Sequence, residues 1–255
     1  MIIHLVEHRD ARSLKDLKQK LTMQERMDIY TEFGIQWTET AKKTIEAYTE
    51  QLVRLQKQQP FLQYIQSNHH QKECEHPTTE QLNQGSIWLD QLLYENNINN
   101  TQIKHDIISI IDKHNTRINA FVLQGPPTTG KSLLLRLITR NYHYDTIHCM
   151  ERNFQFQNLA DKTIALVEEP RITPTQVDNF KKLLEGDGTL DVQVKHSGDV
   201  RLPRIPIFIS TNHDLGKYVD NIDRMALYER CIVYNFEKRI GTDIPKPPHR
   251  PCACH

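Results

Sequence analysis

Residues 119–132 read Asn-Ala-Phe-Val-Leu-Gln-Gly-Pro-Pro-Thr-Thr-Gly-Lys-Ser, and the fold class follows from them. Ala120, Phe121, Val122 and Leu123 are a short apolar run of the kind that makes a buried strand. From Gly125 through Pro126, Pro127, Thr128, Thr129, Gly130 and Lys131 to Ser132 the spelling is G-x-x-x-x-G-K-S, a P-loop. Gly125 and Gly130 allow the bends that turn successive backbone N–H groups toward phosphate oxygens. Lys131 is placed to reach β- and γ-phosphates, and Ser132 to hold Mg²⁺ through its hydroxyl. Ser132 also opens the helical run Leu133–Ile138, whose N-terminal dipole end faces the phosphates. A strand before and a helix after supply the context the motif requires. The expectation is a chain that binds and hydrolyses a nucleoside triphosphate such as ATP.

Working outward, the next signal is Thr163-Ile164-Ala165-Leu166-Val167-Glu168-Glu169, a strand ending in two carboxylates. A nucleotide hydrolase needs such a pair. Glu168 is assigned to the metal shell and Glu169 to the attacking water. A helix is expected over Thr175–Leu184, stopped at Gly186. Leu190, Val192 and Val194 then alternate as in a hairpin arm, with Lys195 and His196 at the tip and Arg201 and Arg204 on the return side. A basic tip suits a DNA backbone, though an exposed, solvated turn reads the same way. Ile205–Asn212 is a further buried strand, and an amide at its end can sense a γ-phosphate. Arg224 and Arg230 precede a last strand, Cys231–Phe236. Arg230 is either a surface residue or one that reaches a neighbouring copy's nucleotide.

Before the P-loop the chain is helical and poor in glycine. Helical spacing covers 11–33 and 38–67, including the stripe Ile45, Tyr48, Leu52 and Leu55, and Thr38 is a plausible helix start. Asn68–Thr79 reads as a polar loop, a further helix starts at Gly85 or Ser86, Asn96–Asn100 breaks it, and Ile103–Lys113 is helical again. His69, His70, Cys74 and His76 match no regular zinc spacing and read as part of that solvated loop. The domain expectation is 1–100 as a helical region serving oligomerisation, 101–240 as the ATPase core, and 241–255 as a proline-rich tail.

Composition sets limits. There are 255 residues with 32 basic and 32 acidic side chains, so any DNA contact must come from a local patch. Five scattered cysteines, an odd number, argue against a disulfide framework. No window approaches the roughly 18 apolar residues of a membrane span, and the expectation is no membrane partner.

The order of these elements resembles a known family. G-P-P-T-T-G-K-S, V-E-E, K-K-L-L-E-G…V-K-H, I-F-I-S-T-N and E-R-C-I-V-Y-N-F are similar to the superfamily 3 helicase region of parvovirus and densovirus non-structural replication proteins (NS1, Rep-type), over roughly residues 100–240. The resemblance implies an α/β, AAA+-like P-loop core with a parallel central sheet behind an all-helical N-terminal region. It also implies a homo-oligomeric ring, usually hexameric, with ATP and Mg²⁺ at its interfaces. The activity implied is 3′-to-5′ unwinding of DNA, with single-stranded DNA as partner, in the nucleus of a host cell. Lys131 and Ser132 match the family's Walker A positions, and Glu168 and Glu169 its Walker B pair. Asn212 matches the sensor, Arg230 the arginine finger, and Lys195 the hairpin lysine. Lys181, with Lys182 beside it, matches a lysine on the helix after Walker B and is assigned with Lys195 and His196 to the DNA contact. Ser197 stands where some relatives carry a second hairpin lysine, which implies a DNA contact that is either weaker or made by His196.

No two of the 13 histidines lie two positions apart, so the His-hydrophobic-His nuclease motif of such proteins is not in this stretch. Pro251-Cys252-Ala253-Cys254-His255 reads as the opening of a zinc-binding segment. Both observations lead to the expectation of a fragment, a truncated product or an integrated viral remnant. Two other classes fit fewer residues: an AAA+ ATPase that remodels a different partner, and a non-catalytic nucleotide-binding oligomerisation module.

Overall fold

The computed structural model describes residues 1–68, 79–147, 156–194 and 198–248. The chain divides into two compact units, Met1–Gln58 and Gln59–His255.

The first unit is four helices, α1 (Ile2–His8), α2 (Leu14–Lys20), α3 (Met23–Phe33) and α4 (Trp37–Gln58). The sequence predicts one helical stretch over 11–33, but the structure breaks it at Leu21–Thr22. Thr22 Oγ1 accepts the Glu25 N–H (3.2 Å) and the Glu25 carboxylate accepts the Thr22 N–H (2.7 Å), a capping box that starts a new helix. α4 presents Trp37, Ala41 and Ile45 to a core of Ile2, Leu5, Val6, Leu17 and Ile29. Each large aliphatic side chain so buried contributes roughly 1.5–3 kcal/mol. Of the predicted stripe Ile45, Tyr48, Leu52 and Leu55, Ile45 lies in that core and Tyr48 packs on it, Leu52 is buried, and Leu55 is half-buried. The helix predicted over 38–67 ends at Gln58. Pro60 lacks an N–H and disfavours helical backbone at Gln59.

The second unit begins with α5 (Phe61–Asn68), α6 (Thr79–Glu95) and α7 (Asn100–Ile111). Gly85, a predicted helix start, lies inside α6. The Asn96–Asn100 break is present for a local reason. Asn97 takes a left-handed φ of 57°, and the Asn99 side chain accepts the Gln102 N–H at 2.9 Å, capping α7. So the helices from Phe61 onward, read in the sequence as part of a leader to residue 100, share a compact unit with the sheet. His69, His70, Cys74, His76, Cys252, Cys254 and His255 lie outside the described residues.

That sheet has five parallel strands in the order β2-β3-β6-β1-β7. They are β1 (Ala120–Gln124), β2 (Tyr144–Ile147), β3 (Ile164–Glu168), β6 (Ile207–Thr211) and β7 (Cys231–Asn235). β1, β3 and β6 are nearly continuous apolar runs because a parallel sheet is covered on both faces. On one face Val122, Ala165, Val167, Ile207 and Ile209 pack against Phe180, Leu183 and Leu184 of α9 (Val177–Glu185). On the other, Phe121 meets Phe208 at 5.7 Å and Tyr234 at 5.5 Å. Pairing puts Ala120 beside Ile207 and Cys231, and Gln124 beside Thr211 and Asn235. Sequence separation therefore becomes position: residues after Gln124, Glu168 and Thr211 share the carboxyl edge, and residues before Ala120, Ile207 and Cys231 share the amino edge. Helices α8 (Lys131–Thr139) and α10 (Asn221–Tyr228) complete this unit, with an antiparallel hairpin of β4 (Asp191–Val194) and β5 (Gly198–Arg201).

Asn119 holds the amino edge together. It is fully buried; its Nδ2 donates to the Ile205 carbonyl (2.7 Å) and its Oδ1 accepts from Arg204 Nε (3.1 Å). Asn119→Ala strands the Ile205 carbonyl and opens a small void. Urea titration is expected to show a loss of about 2–4 kcal/mol. A loss below about 1 kcal/mol would mean that water replaces the amide at no cost.

Candidate active site

The P-loop leaves β1 at the carboxyl edge, beside β6, the switch point where open α/β sheets bind ligands. Its shape depends on both glycines. Gly125 has φ +143°, and a Cβ built there would lie 1.9 Å from the Phe236 carbonyl oxygen. Gly130 has φ +92° and starts α8. Thr128 takes φ +67°, a conformation that side chains rarely adopt, and its carbonyl accepts the Ile240 N–H at 2.8 Å. The chain after β7 thus lies along the outside of the loop. Phe236 N–H donates to Gln124 (2.7 Å), and the Glu237 and Lys238 N–H groups donate to the Asn96 side chain. Farther along, Trp88 Nε1 donates to the Pro245 carbonyl at 2.7 Å. Sequence reading missed this strap: it contributes main-chain N–H and C=O groups that meet residues far away in the chain, which no local pattern encodes.

Lys131 is buried, with 5% of its surface exposed. Its ammonium donates to the carbonyls of Gly125 (2.8 Å) and Pro126 (2.6 Å), to Thr129 Oγ1 (3.1 Å) and to Asn212 Oδ1 (3.2 Å). Burial lowers its pKa from the usual lysine value, and the negative charge of Glu169 opposes that shift. Glu169 follows β3 with a left-handed φ of 51°. This turn aims its carboxylate at β6, where Oε2 accepts the Asn212 N–H at 3.0 Å, while its own N–H donates to the Ser210 carbonyl at 2.9 Å. Lys131, Asn212 and Glu169, far apart in sequence, therefore form one hydrogen-bonded chain at the edge of the phosphate loop.

The residues expected to hold Mg²⁺, Ser132 and Glu168, sit next to it. Ser132 Oγ lies 3.1 Å from Ser210 Oγ, and Ser210 is the register partner of Glu168. Hydroxyl and carboxylate oxygens are hard donors that fit Mg²⁺, which uses one or two protein ligands and completes its shell with water and phosphate. Among the described residues no group of three or more His, Cys, Asp or Glu side chains could hold a metal by itself. Glu168 also accepts two bonds from Arg136 Nη2 (2.8 and 3.0 Å), an exposed cation one turn into α8 that the sequence reading did not single out. Tyr228 was likewise missed. Its hydroxyl donates to Gln124 Oε1 (2.9 Å) and accepts the Leu215 N–H (3.3 Å), joining the end of β1 to the turn that follows β6.

The remaining predicted residues lie elsewhere. Arg230 is at the amino edge, across the sheet from its own P-loop. Its Nε and Nη2 donate to Glu185 Oε2 (2.9 and 2.7 Å), and Nη1 donates to the Ala226 carbonyl (2.6 Å). Lys181 is held between Asp178 and Asp223, bonds that raise its pKa, so its ammonium ties α9 to α10. Lys195 and His196 fall outside the described residues. The hairpin that carries them is present on both sides.

A parallel sheet in this order, a P-loop after β1, paired glutamates at the end of β3 and an asparagine after β6 together define an AAA+-like P-loop core. The chain belongs to the parvovirus non-structural protein NS1 family, whose model matches residues 23–248. It is 29% identical over 160 residues to the initiator protein NS1 of human parvovirus B19 (isolate AU), covering 60% of this chain and 24% of that one. It is 31% identical over 155 residues to the initiator protein NS1 of Aedes albopictus densovirus (isolate Boublik/1994), covering 60% and 19%. The chain thus spans about a fifth to a quarter of the length of these curated relatives. In fold it is similar to the X-ray structure of JCV helicase, with a TM-score of 0.57 at 12% identity, covering 92% of this chain and 68% of that one.

Proposed function

We propose that this chain is the motor segment of a replication initiator: an Mg²⁺-dependent ATPase, of superfamily 3 type, that unwinds DNA 3′ to 5′ as a homo-oligomeric, hexameric ring. Its setting would be the replication of a small single-stranded DNA virus genome in a host nucleus. The observation that carries the reading is the Lys131–Asn212–Glu169 chain at the phosphate loop. A triphosphate laid in the loop offers the Lys131 ammonium charged oxygens in place of neutral carbonyls, and charge-assisted bonds are the stronger ones. Glu169 spends one carboxylate oxygen on the Asn212 N–H. The other is available to orient a water and take its proton. Asn212, held on both sides, keeps that carboxylate in register with Lys131. Bound Mg²⁺ neutralises charge on the phosphates. Arg230, on the opposite edge, is suited to a neighbouring copy's nucleotide rather than its own, which makes hydrolysis a property of the ring. The hairpin supplies the DNA contact through Lys195 and His196. Among the described residues no helix is long and apolar enough to cross a membrane.

Steady-state ATP hydrolysis with and without single-stranded DNA, at two salt concentrations, tests the reading. Turnover is expected to rise with DNA and the rise to shrink at higher salt, because phosphate contacts release counterions. Turnover indifferent to DNA would reassign the motor to a different partner.

A further inference from the structure

The hairpin leaves the sheet unit through two roots. One is the end of α9, where Glu185 precedes Gly186 in the left-handed conformation (φ +65°). The other is Arg204–Ile205, leading into β6. Leu190, Val192 and Leu202, near those roots, are buried in the core beneath the sheet. Both roots are fastened to the start of β1. Arg204 donates to the carbonyls of Thr116 (3.2 Å) and Ile118 (3.1 Å) and to Asn119 Oδ1 (3.1 Å). A Cβ on Gly186 would meet the Asn119 amide and the Arg204 stem at 2.7–2.8 Å.

The first root also holds Arg230. One oxygen of Glu185 accepts two of its N–H groups, and the guanidinium side chain is only 13% exposed. The Arg230 carbonyl accepts the Asn119 and Ala120 N–H groups (both 3.3 Å), so its backbone is tied to β1. Of the five N–H donors of an arginine, Glu185 and Ala226 take three. Two remain for an acceptor from outside. The planar guanidinium is thus oriented by the residue that ends α9, and α9 continues directly into the hairpin.

We propose that Glu185 is a positioning residue that couples the hairpin to Arg230, so that a DNA load on the hairpin root changes how Arg230 meets the neighbouring copy's nucleotide. The inference rests on the reading above, in which the hairpin meets DNA and Arg230 serves a neighbour. Glu185 lies at the amino edge and touches no part of its own P-loop, so its effect on hydrolysis is indirect. The geometry explains why a carboxylate stands there: a neutral side chain would leave a largely buried cation without its counter-charge and free to rotate.

The test uses the whole chain and its variants Glu185→Gln and Glu185→Asp. Thermal melting and binding of a fluorescent ATP analogue are measured beside ATP turnover with and without single-stranded DNA. In Glu185→Gln the ratio of DNA-stimulated to DNA-free turnover is expected to fall by about fivefold, the low end of couplings between linked sites. Glu185→Asp, which keeps the charge on a shorter stem, is expected to recover part of the ratio. Analogue affinity is expected to stay at its parental value and the melting temperature to fall, because Arg230 has lost its counter-charge; turnover is therefore compared below the variant's melting temperature, where a merely structural role would lower it with and without DNA alike. A folded Glu185→Gln with the parental ratio overturns the coupling alone. Equal loss of turnover with and without DNA also overturns it, since Glu185 would then serve Arg230 without the hairpin. A parental chain that DNA does not stimulate removes the proposed function and the coupling together.

Discussion

Lys131→Ala is expected to abolish ATP hydrolysis, with a fall in kcat/KM of at least about 10²–10³-fold, or ~3–4 kcal/mol of lost transition-state stabilisation. The ammonium sits among four acceptors, three from the loop and one from Asn212 just after β6, and it is buried. A cation so placed acts on phosphate charge at low local dielectric, where each contact counts for more than in water. Alanine also removes the donor that holds Asn212 Oδ1, loosening the residue that registers Glu169. Stability should respond differently. Burial lowers the Lys131 pKa. The unfolded chain, with the ordinary higher pKa, binds more protons between the two values, so this group's contribution to stability rises with pH across that window and is unfavourable below it. Removing the ammonium relieves that cost. Alanine also leaves the Gly125 and Pro126 carbonyls without that donor, so the relief offsets only part of the loss, and the variant is expected to stay folded, melting below the parent, while turning over no ATP. An alanine variant that still hydrolyses ATP at near-parental rate would sink the assignment of this loop as the catalytic site.

Gly125→Ala is expected to be the most destabilising single methyl addition in the phosphate loop, costing about 3–5 kcal/mol. The new Cβ would lie 1.9 Å from the Phe236 carbonyl oxygen, a backbone atom held in place by the Phe236–Gln124 bond. No rotamer change removes a clash with backbone. The φ of +143° adds strain of its own. Gly188→Ala is the internal comparison. Gly188 has φ +75° but nothing within 4 Å, so only backbone strain of about 1–2 kcal/mol applies. Denaturant midpoints for both variants measure the difference. If Gly125→Ala lost no more than Gly188→Ala, the strap after β7 would not be packed on the loop as described.

The strands, the phosphate loop and its three companions were legible in the sequence because each is a local signal. A covered parallel strand must be apolar throughout, and a residue just past its end must stand at the carboxyl edge. Ala120–Leu123, Ile164–Val167 and Ile207–Thr211 could therefore be read with Gly125–Ser132, Glu168, Glu169 and Asn212 attached. What escaped was long-range or weakly marked. Pro60 was the marker that divides α4 from α5, and helical spacing on both sides of it masked the break. The Thr22–Glu25 capping box divides 11–33 in the same way. That Arg230 pairs with Glu185, or Lys181 with Asp223, is a consequence of α9, α10 and β7 meeting in space, and residue type alone names no partner. The strap from Phe236 to Pro245 carries no motif, since its work is done by main-chain groups.

That strap has a practical meaning for how much chain the nucleotide site needs. β7 is the last strand described, and a boundary drawn after Asn235 would look generous on sequence grounds. Yet Phe236 and Ile240 are the mould against which the phosphate loop is cast: one fills the space behind Gly125 and the other pairs with Thr128. Their removal would leave every recognisable motif in place and take away the surface that gives the loop its curvature.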